Sequence, residues 1–273
     1  MAATRTGVVV LFATAALVGC KPTPPAEKPK PIAAAPRPAP APMLKPAAAD
    51  GGDVEAVDAV FTPAPFSPAG PSAPETGLVV ELQGEQVLIK GEHYSVAKDA
   101  ARYGALWPKD APVLLVPDEE TYLAQIQPIL AALDDAHAQV WLKHPLGPLA
   151  YPVVLRDEPK FQAWIEEPVP GKLRVIQRAD GFELQTNLGK LAGVDPNGPS
   201  VPVRGGQLDL ATLQRGLDRV KSRFHDAPDV CFVPSFGTTL EHVARAVASN
   251  WLASEKVVFA SACLVYPRPK SKP

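Results

Sequence analysis

The chain has 273 residues, 27 basic and 29 acidic side chains, and a formal net charge of −2. That balance provides no basic face for a phosphate backbone, which argues against nucleic acid as a partner. Beyond the N-terminal segment, no apolar run reaches the roughly 18 residues that a membrane helix needs.

The N-terminus reads as a targeting segment. Arg5 supplies its positive charge. Residues 7–17 form an uncharged apolar run, too short to span a bilayer, which takes about 20 residues. Leu17-Val18-Gly19-Cys20 matches a bacterial lipobox. Residues 1–19 are therefore expected to be a cleaved lipoprotein signal, with Cys20 the lipidated residue and the membrane contact. A plain secretory signal beside a chance cysteine is the competing expectation. Lys21 stands where an inner-membrane retention signal would place aspartate, which points to the periplasmic face of the outer membrane.

Residues 20–76 read as a Pro/Ala-rich linker, with 15 of the 33 prolines falling in 21–76. Proline removes a backbone donor and fixes φ, so a disordered or polyproline-II-like spacer is expected. Extended at about 3.1 Å per residue, it reaches on the order of 150 Å. Residues 54–61 are an apolar exception, expected as a transient helix in the linker, with docking onto another surface the alternative.

Residues 77–144 predict the order β-β-α-β-α-β. Two β-rich runs at 78–82 and 86–90 flank Gln83-Gly84-Glu85, which suits a hairpin. Ser95 is the expected cap of a helix running to Leu106. Val113 to Val116 is a short buried strand. The next helix, capped by Asp118 or Thr121, carries Pro128 inside its apolar pattern, which predicts a kink. A strand at 139–143 closes the unit.

Residues 171–267 repeat that order. A hairpin turns at Asp180-Gly181, and an insertion rich in Gly, Pro and Asn follows at 189–206. Asp209 caps a helix whose Leu210, Leu213, Leu217, Val220 and Phe224 have amphipathic spacing. Val230 to Val233 is the second buried strand. Thr238 with Glu241 reads as a capping box, and residues 256–265 form the closing strand. Asp-Ala-Pro, an apolar run, Pro and Thr recur in the same order in both units, from Asp110 and from Asp226, which indicates a duplication. Residues 145–170 contain six prolines among Tyr151, Phe161 and Trp164 and are expected to pack between the two domains, with Val153 to Leu155 adding a strand. Residues 268–273 read as a tail.

Cys231 and Cys263 fall in predicted strands. Two buried free thiols are the preferred expectation, and a disulfide, which needs Cα atoms within about 7 Å, is the alternative. No catalytic constellation emerges. His93, His137, His144, His225 and His242 lack metal-ligand spacing, and neither a nucleophile elbow nor a phosphate loop is present. No catalytic residue, metal or cofactor is expected. Arg156, Lys160, Trp164 and Arg174 are the candidate binding surface, because Trp and Arg dominate hot spots. Burial of Trp164 as a core anchor is the competing reading.

The order of elements, Val87 to Glu92 leading into a helix, Ala111 to Asp118 around the short strand, and Ile129 to Ala136 running into Val140-Trp141-Leu142, resembles the periplasmic domain of the ExbD/TolR family. Residues 208–217 and 227–234 carry the same resemblance in the second unit. It implies an α+β fold of two tandem β-β-α-β-α-β domains, in a protein of the envelope transport machinery that binds peptidoglycan or an envelope partner. The family's membrane helix and its proton-relaying aspartate have no counterpart here, so the resemblance carries over binding and not a motor. Two copies in one chain imply a monomer with an internal pseudo-dimer. An enzyme or small-ligand carrier with a hidden pocket is the alternative function.

Overall fold

The computed structural model describes residues 66–108, 111–193, 195–252 and 256–269. The signal, Cys20, the apolar run at 54–61, Lys109 and Asp110 lie outside the described residues.

Side-chain alternation builds the first hairpin. β1 (Leu78–Gln83) buries Leu78, Val80 and Leu82 and exposes the residues between them. Gly84, at φ 60°, turns the chain into β2 (Gln86–Ile89). The expected helix from Ser95 does not follow. Lys90 and Gly91 both take positive φ, and the chain folds back as β3 (Glu92–Ser95). The helix shortens to α1 (Ala100–Gly104), anchored by buried Tyr103, whose hydroxyl donates to Val96 O at 2.7 Å. Ser95 is no cap; its N–H donates to Asp99 Oδ2 at 2.8 Å.

β4 (Pro112–Pro117) leads through a turn to α2 (Gln127–Asp135). The helix starts later than its apolar spacing suggested. Pro128 sits in the first turn, where the missing N–H has no intrahelical partner to lose, so no interior proline remains to kink it. β5 (Gln139–Lys143) closes this half. The intervening segment supplies β6 (Ala150–Arg156) and α3 (Glu158–Glu166).

The second half contains β7 (Leu173–Arg178), β8 (Gly181–Thr186), two short strands β9 (Gly189–Lys190) and β10 (Val201–Pro202), α4 (Leu210–Arg223), β11 (Asp229–Val233), α5 (Leu240–Ala248) and β12 (Ser261–Val265). Asp209 caps α4 as expected, accepting from Thr212 N–H at 2.9 Å. α5 is capped one residue later than expected, by Thr239, and Glu241 pairs with Arg245 at 2.5 Å instead of closing a capping box. β12 is shorter than expected because Asn250 folds the chain ahead of it, donating to Phe259 O at 2.9 Å and accepting from Phe259 N–H at 3.0 Å.

Twelve strands and five helices are found among the described residues, an α/β mixture with the strands in one sheet. The order is β10-β8-β7-β11-β12-β6-β5-β4-β1-β2-β3, with β9 beside β8. β4 lies parallel between β1 and β5, and β11 lies parallel between β7 and β12. β6 is antiparallel to β5 and parallel to β12, so the halves run in opposite directions and meet through it. Residues 77–144 and 171–267 thus contribute to one sheet, with a strand of the intervening segment between them. The loops before α2 and α5 join across the same seam. Leu123 N–H donates to Thr238 O at 3.0 Å, and Leu240 N–H donates to Thr121 O at 2.8 Å, around a Tyr122–Thr239 bridge. Each residue here is 117 positions from its counterpart.

One hydrophobic cluster takes side chains from both halves, among them Val80, Leu115 and Ile129 with Val175, Leu217 and Val247. A smaller cluster contains Phe161 and Trp164 of α3 with Cys231, Cys263 and Val265. The linker, expected to run to residue 76, is already packed at Phe66. Pro71 O accepts from Ala150 N–H at 3.1 Å, and Ala69 O accepts from the Tyr151 hydroxyl at 3.0 Å. At Gly70, φ +140°, a Cβ would come within 2.6 Å of the Tyr151 ring, so the crossing needs glycine. Among the described residues no helix is long and apolar enough to cross a membrane.

Candidate functional site

The seam between the halves is incomplete. β6 pairs with β5 from Ala150 to Val153, but with β12 only from Val154 to Arg156. Pro152 brings no N–H to a ladder, and the β6–β12 pairing begins beyond it. A groove of about 460 Å³ opens there, lined by Gln139, Trp141, Pro152, Val154, Trp251 and Ser261 among others.

Alternation along the strands sets its chemistry. Val140 and Leu142 of β5, and Tyr151, Val153 and Leu155 of β6, belong to the main core. Gln139, Trp141, Pro152 and Val154 therefore stand on the opposite face of the sheet. Trp141 pairs with Pro152, and Val154 is 46% exposed. Gln139 and Ser261 hold matching registers in the two halves, opposite Pro112 and Asp229 respectively. Trp251 packs against Tyr151 with ring centroids 4.8 Å apart and the planes tilted by 41°.

The titratable lining is Asp134 and His137. Asp134 is committed elsewhere: it accepts from Lys160 Nζ at 2.5 Å and from the Tyr266 hydroxyl at 2.8 Å. Burial, and then that bond to Asp134, push the Tyr266 hydroxyl up. Behind Asp134, Arg268 donates to Asp157 Oδ2 at 2.5 Å and to Asp135 Oδ1 at 2.7 Å. The Arg268 bond holds Asp135 below the usual carboxylate range. Burial pushes Asp157 up, but the Lys160 N–H and Arg268 outweigh it and hold it low. These partners tie α2, α3 and the chain after β12 into one polar knot along the groove wall. The groove itself offers an indole, an amide, a hydroxyl and the exposed imidazole of His137, the groups of a recognition surface. Among the described residues, no cluster of three or more His, Cys, Asp or Glu side chains is arranged to hold a metal ion.

The four residues expected as a binding surface are dispersed. Trp164 is 2% exposed and is a core anchor; its Nε1 donates to Asp229 Oδ2 at 2.7 Å. The Arg156 guanidinium lies over its ring at 5.9 Å and pairs with Asp229 at 3.6 Å. Lys160 belongs to the Asp134 knot, and Arg174 reaches Thr186 O at 3.5 Å. Cys231 and Cys263 are joined by a disulfide, Cα atoms 4.5 Å apart, where free thiols were expected. Adjacent strands place the two residues in direct register, which predicted strands alone did not reveal.

Sequence reasoning missed Trp141 and Arg268. Trp141 had a readable signal, since it shares a strand face with Gln139 and Lys143, the polar face of that strand. Arg268 had none, because its partners are more than a hundred residues away. No protein-family model matches the chain, and neither does any curated protein or solved structure.

Proposed function

We propose that this chain is a non-catalytic cell-envelope lipoprotein, anchored through Cys20 on the periplasmic face of the outer membrane. Its folded part acts as a binding module similar to ExbD/TolR domains, contacting peptidoglycan or a transport-complex protein. The two halves represent tandem copies that form an internal pseudo-dimer, so the protein works as a monomer. The observation that carries this reading is the reciprocal pair of hydrogen bonds between Leu123 and Thr238 and between Leu240 and Thr121, at a constant offset of 117 residues, within a strand order mirrored about β6. That seam holds the groove, and its indole, amide, hydroxyl and imidazole suit an extended polar ligand.

Co-sedimentation with purified peptidoglycan sacculi tests the reading. Retention in the pellet that survives raised salt is expected. A clear supernatant at every salt concentration removes the wall as ligand and leaves the protein partner. A small-ligand carrier is the second reading, favoured by the groove's volume of about 460 Å³. A solution mass of twice the chain would overturn the internal pseudo-dimer.

A further inference from the structure

The arginines among the described residues are held in different ways. Arg102, Arg156, Arg178, Arg204, Arg245 and Arg268 each form an ion pair with a carboxylate. Arg174 reaches a backbone carbonyl. Arg215, Arg219 and Arg223 have no carboxylate within ion-pair distance among the described residues, and all three are exposed, although Arg215 donates to Thr212 Oγ1 at 2.7 Å and Arg223 lies over the Phe224 ring. They share one helix, α4, at i, i+4 and i+8. That spacing sets them in a row, with a rise of about 6 Å between neighbours. The opposite face of α4 buries Leu213, Leu217 and Val220, so the row points away from the core.

Helix polarity explains part of this, since cations favour the C-terminal turn. Arg223 lies in that turn with Lys221, but Arg215 is mid-helix. Lys221 is already committed to the carbonyls of His225 and Ala227. Asp218 is the one carboxylate on the exposed side of α4, against three guanidinium groups. In a chain of net charge −2, this is a local excess of positive charge.

We propose that Arg215, Arg219 and Arg223 form a docking strip for the phosphate groups of an anionic lipid surface. A row on a convex helix that turns about 40° at each step cannot enclose one small anion. It can lie along a planar array of phosphates, each guanidinium presenting a fork of donors to its own phosphate. Attraction of this kind is short-ranged and screened by salt. The strip would hold the folded part against the membrane at low ionic strength and release it when ions or competing anions intervene. The strip itself needs no family resemblance. Only its proximity to a bilayer rests on the lipid-anchor reading.

The test uses the full chain carrying Cys20→Ala, so that no acyl chain contributes, floated with vesicles of phosphatidylglycerol and phosphatidylcholine or of phosphatidylcholine alone. Flotation with the anionic vesicles at low salt is expected, with release by about 0.5 M salt. Arg215→Gln/Arg219→Gln/Arg223→Gln should reduce the bound fraction at least tenfold. Arg102→Gln/Arg178→Gln, removing two paired arginines, should change it less than twofold. An unchanged circular dichroism spectrum and melting temperature in the triple variant establish that a loss reflects the strip and not the fold. Absence of flotation, or equal flotation of wild type and triple variant, overturns the proposal. So does strip-dependent retention on sacculi without vesicle binding, which would make the partner an anionic wall polymer. Vesicle binding and sacculus retention are scored separately, so either can fail alone.

Discussion

Trp141 occupies in the first half the register that Cys263 holds in the second. Trp141 pairs with Leu114 across β4 and β5, and Cys263 pairs with Cys231 across β11 and β12. The cysteine pair is buried with α3 residues against it, whereas Trp141 is only partly buried and lines the groove. The same position is thus structural in one half and presented in the other. Trp141→Ala is expected to cost less than about 1.5 kcal/mol of stability, yet to reduce retention on sacculi several-fold. Trp164→Ala, which empties a buried site and strips Asp229 of a donor, should cost about 3–5 kcal/mol. Denaturant unfolding of both variants, beside the pelleting assay, checks the contrast. Equal destabilisation by the two would show that Trp141 is merely core.

The disulfide closes a loop with a sequence separation of 32. Loop-closure entropy for that length is about 3–4 kcal/mol. Cys231→Ser/Cys263→Ser should lose stability of that order, and a reducing agent should lower the denaturation midpoint of the wild type but not of the variant. Both sulfurs are buried, so reduction of the folded protein is expected to proceed only as it opens.

Local chemistry was legible in the sequence, and long-range pairing was not. The strands at 78–83 and 173–178 and the helix at 210–223 follow from side-chain period, and those at 112–117 and 229–233 from short apolar runs bounded by prolines. β3 was missed because Glu92 to Ser95 has one buried residue, Tyr94, too few to display a period. The start of α2 was misplaced because Tyr122 and Ile126 continue its apolar spacing into a turn. In that turn Thr121, fully buried, accepts from Gly84 N–H at 3.2 Å. The candidate site was hidden for a different reason. Its residues come from β5, β6 and β12, and only the insertion of β6 between the halves brings Gln139, Trp141 and Ser261 to one groove.

The seam bonds can be tested without breaking a helix. Leu240 is the first residue of α5, where proline is tolerated, and Thr239 before it has φ −74° and ψ 151°, an extended conformation compatible with a following proline. Leu240→Pro and Leu240→Ala both remove the buried leucine side chain, but only proline also removes the N–H that donates to Thr121 O. The proline variant is expected to be less stable than the alanine variant by about 1 kcal/mol. A proline variant as stable as the alanine variant would mean that the bond across the halves contributes nothing measurable.

The polar knot at Arg268 predicts an acid-sensitive seam. Asp135 and Asp157 both titrate below their usual range in the folded protein. In the interval below the ordinary carboxylate value of about 3.9, the unfolded chain therefore binds more protons than the folded one. Their stabilisation is complete above that value and is lost as pH falls through the folded values. The Asp135 side chain is 62% exposed and contributes little after screening, so Asp157, at 8%, should dominate. Arg268→Ala should cost about 2–3 kcal/mol near neutral pH, because it leaves Asp157 with the Lys160 N–H as its remaining donor. It should also let both carboxyl groups titrate closer to their ordinary values. The stability gap between wild type and variant is then expected to narrow as pH drops below about 4, towards about 2. Urea midpoints measured across that range check this. A gap that stays constant would make Arg268 a packing contact, with its charge playing no part in joining α2, α3 and the end of β12.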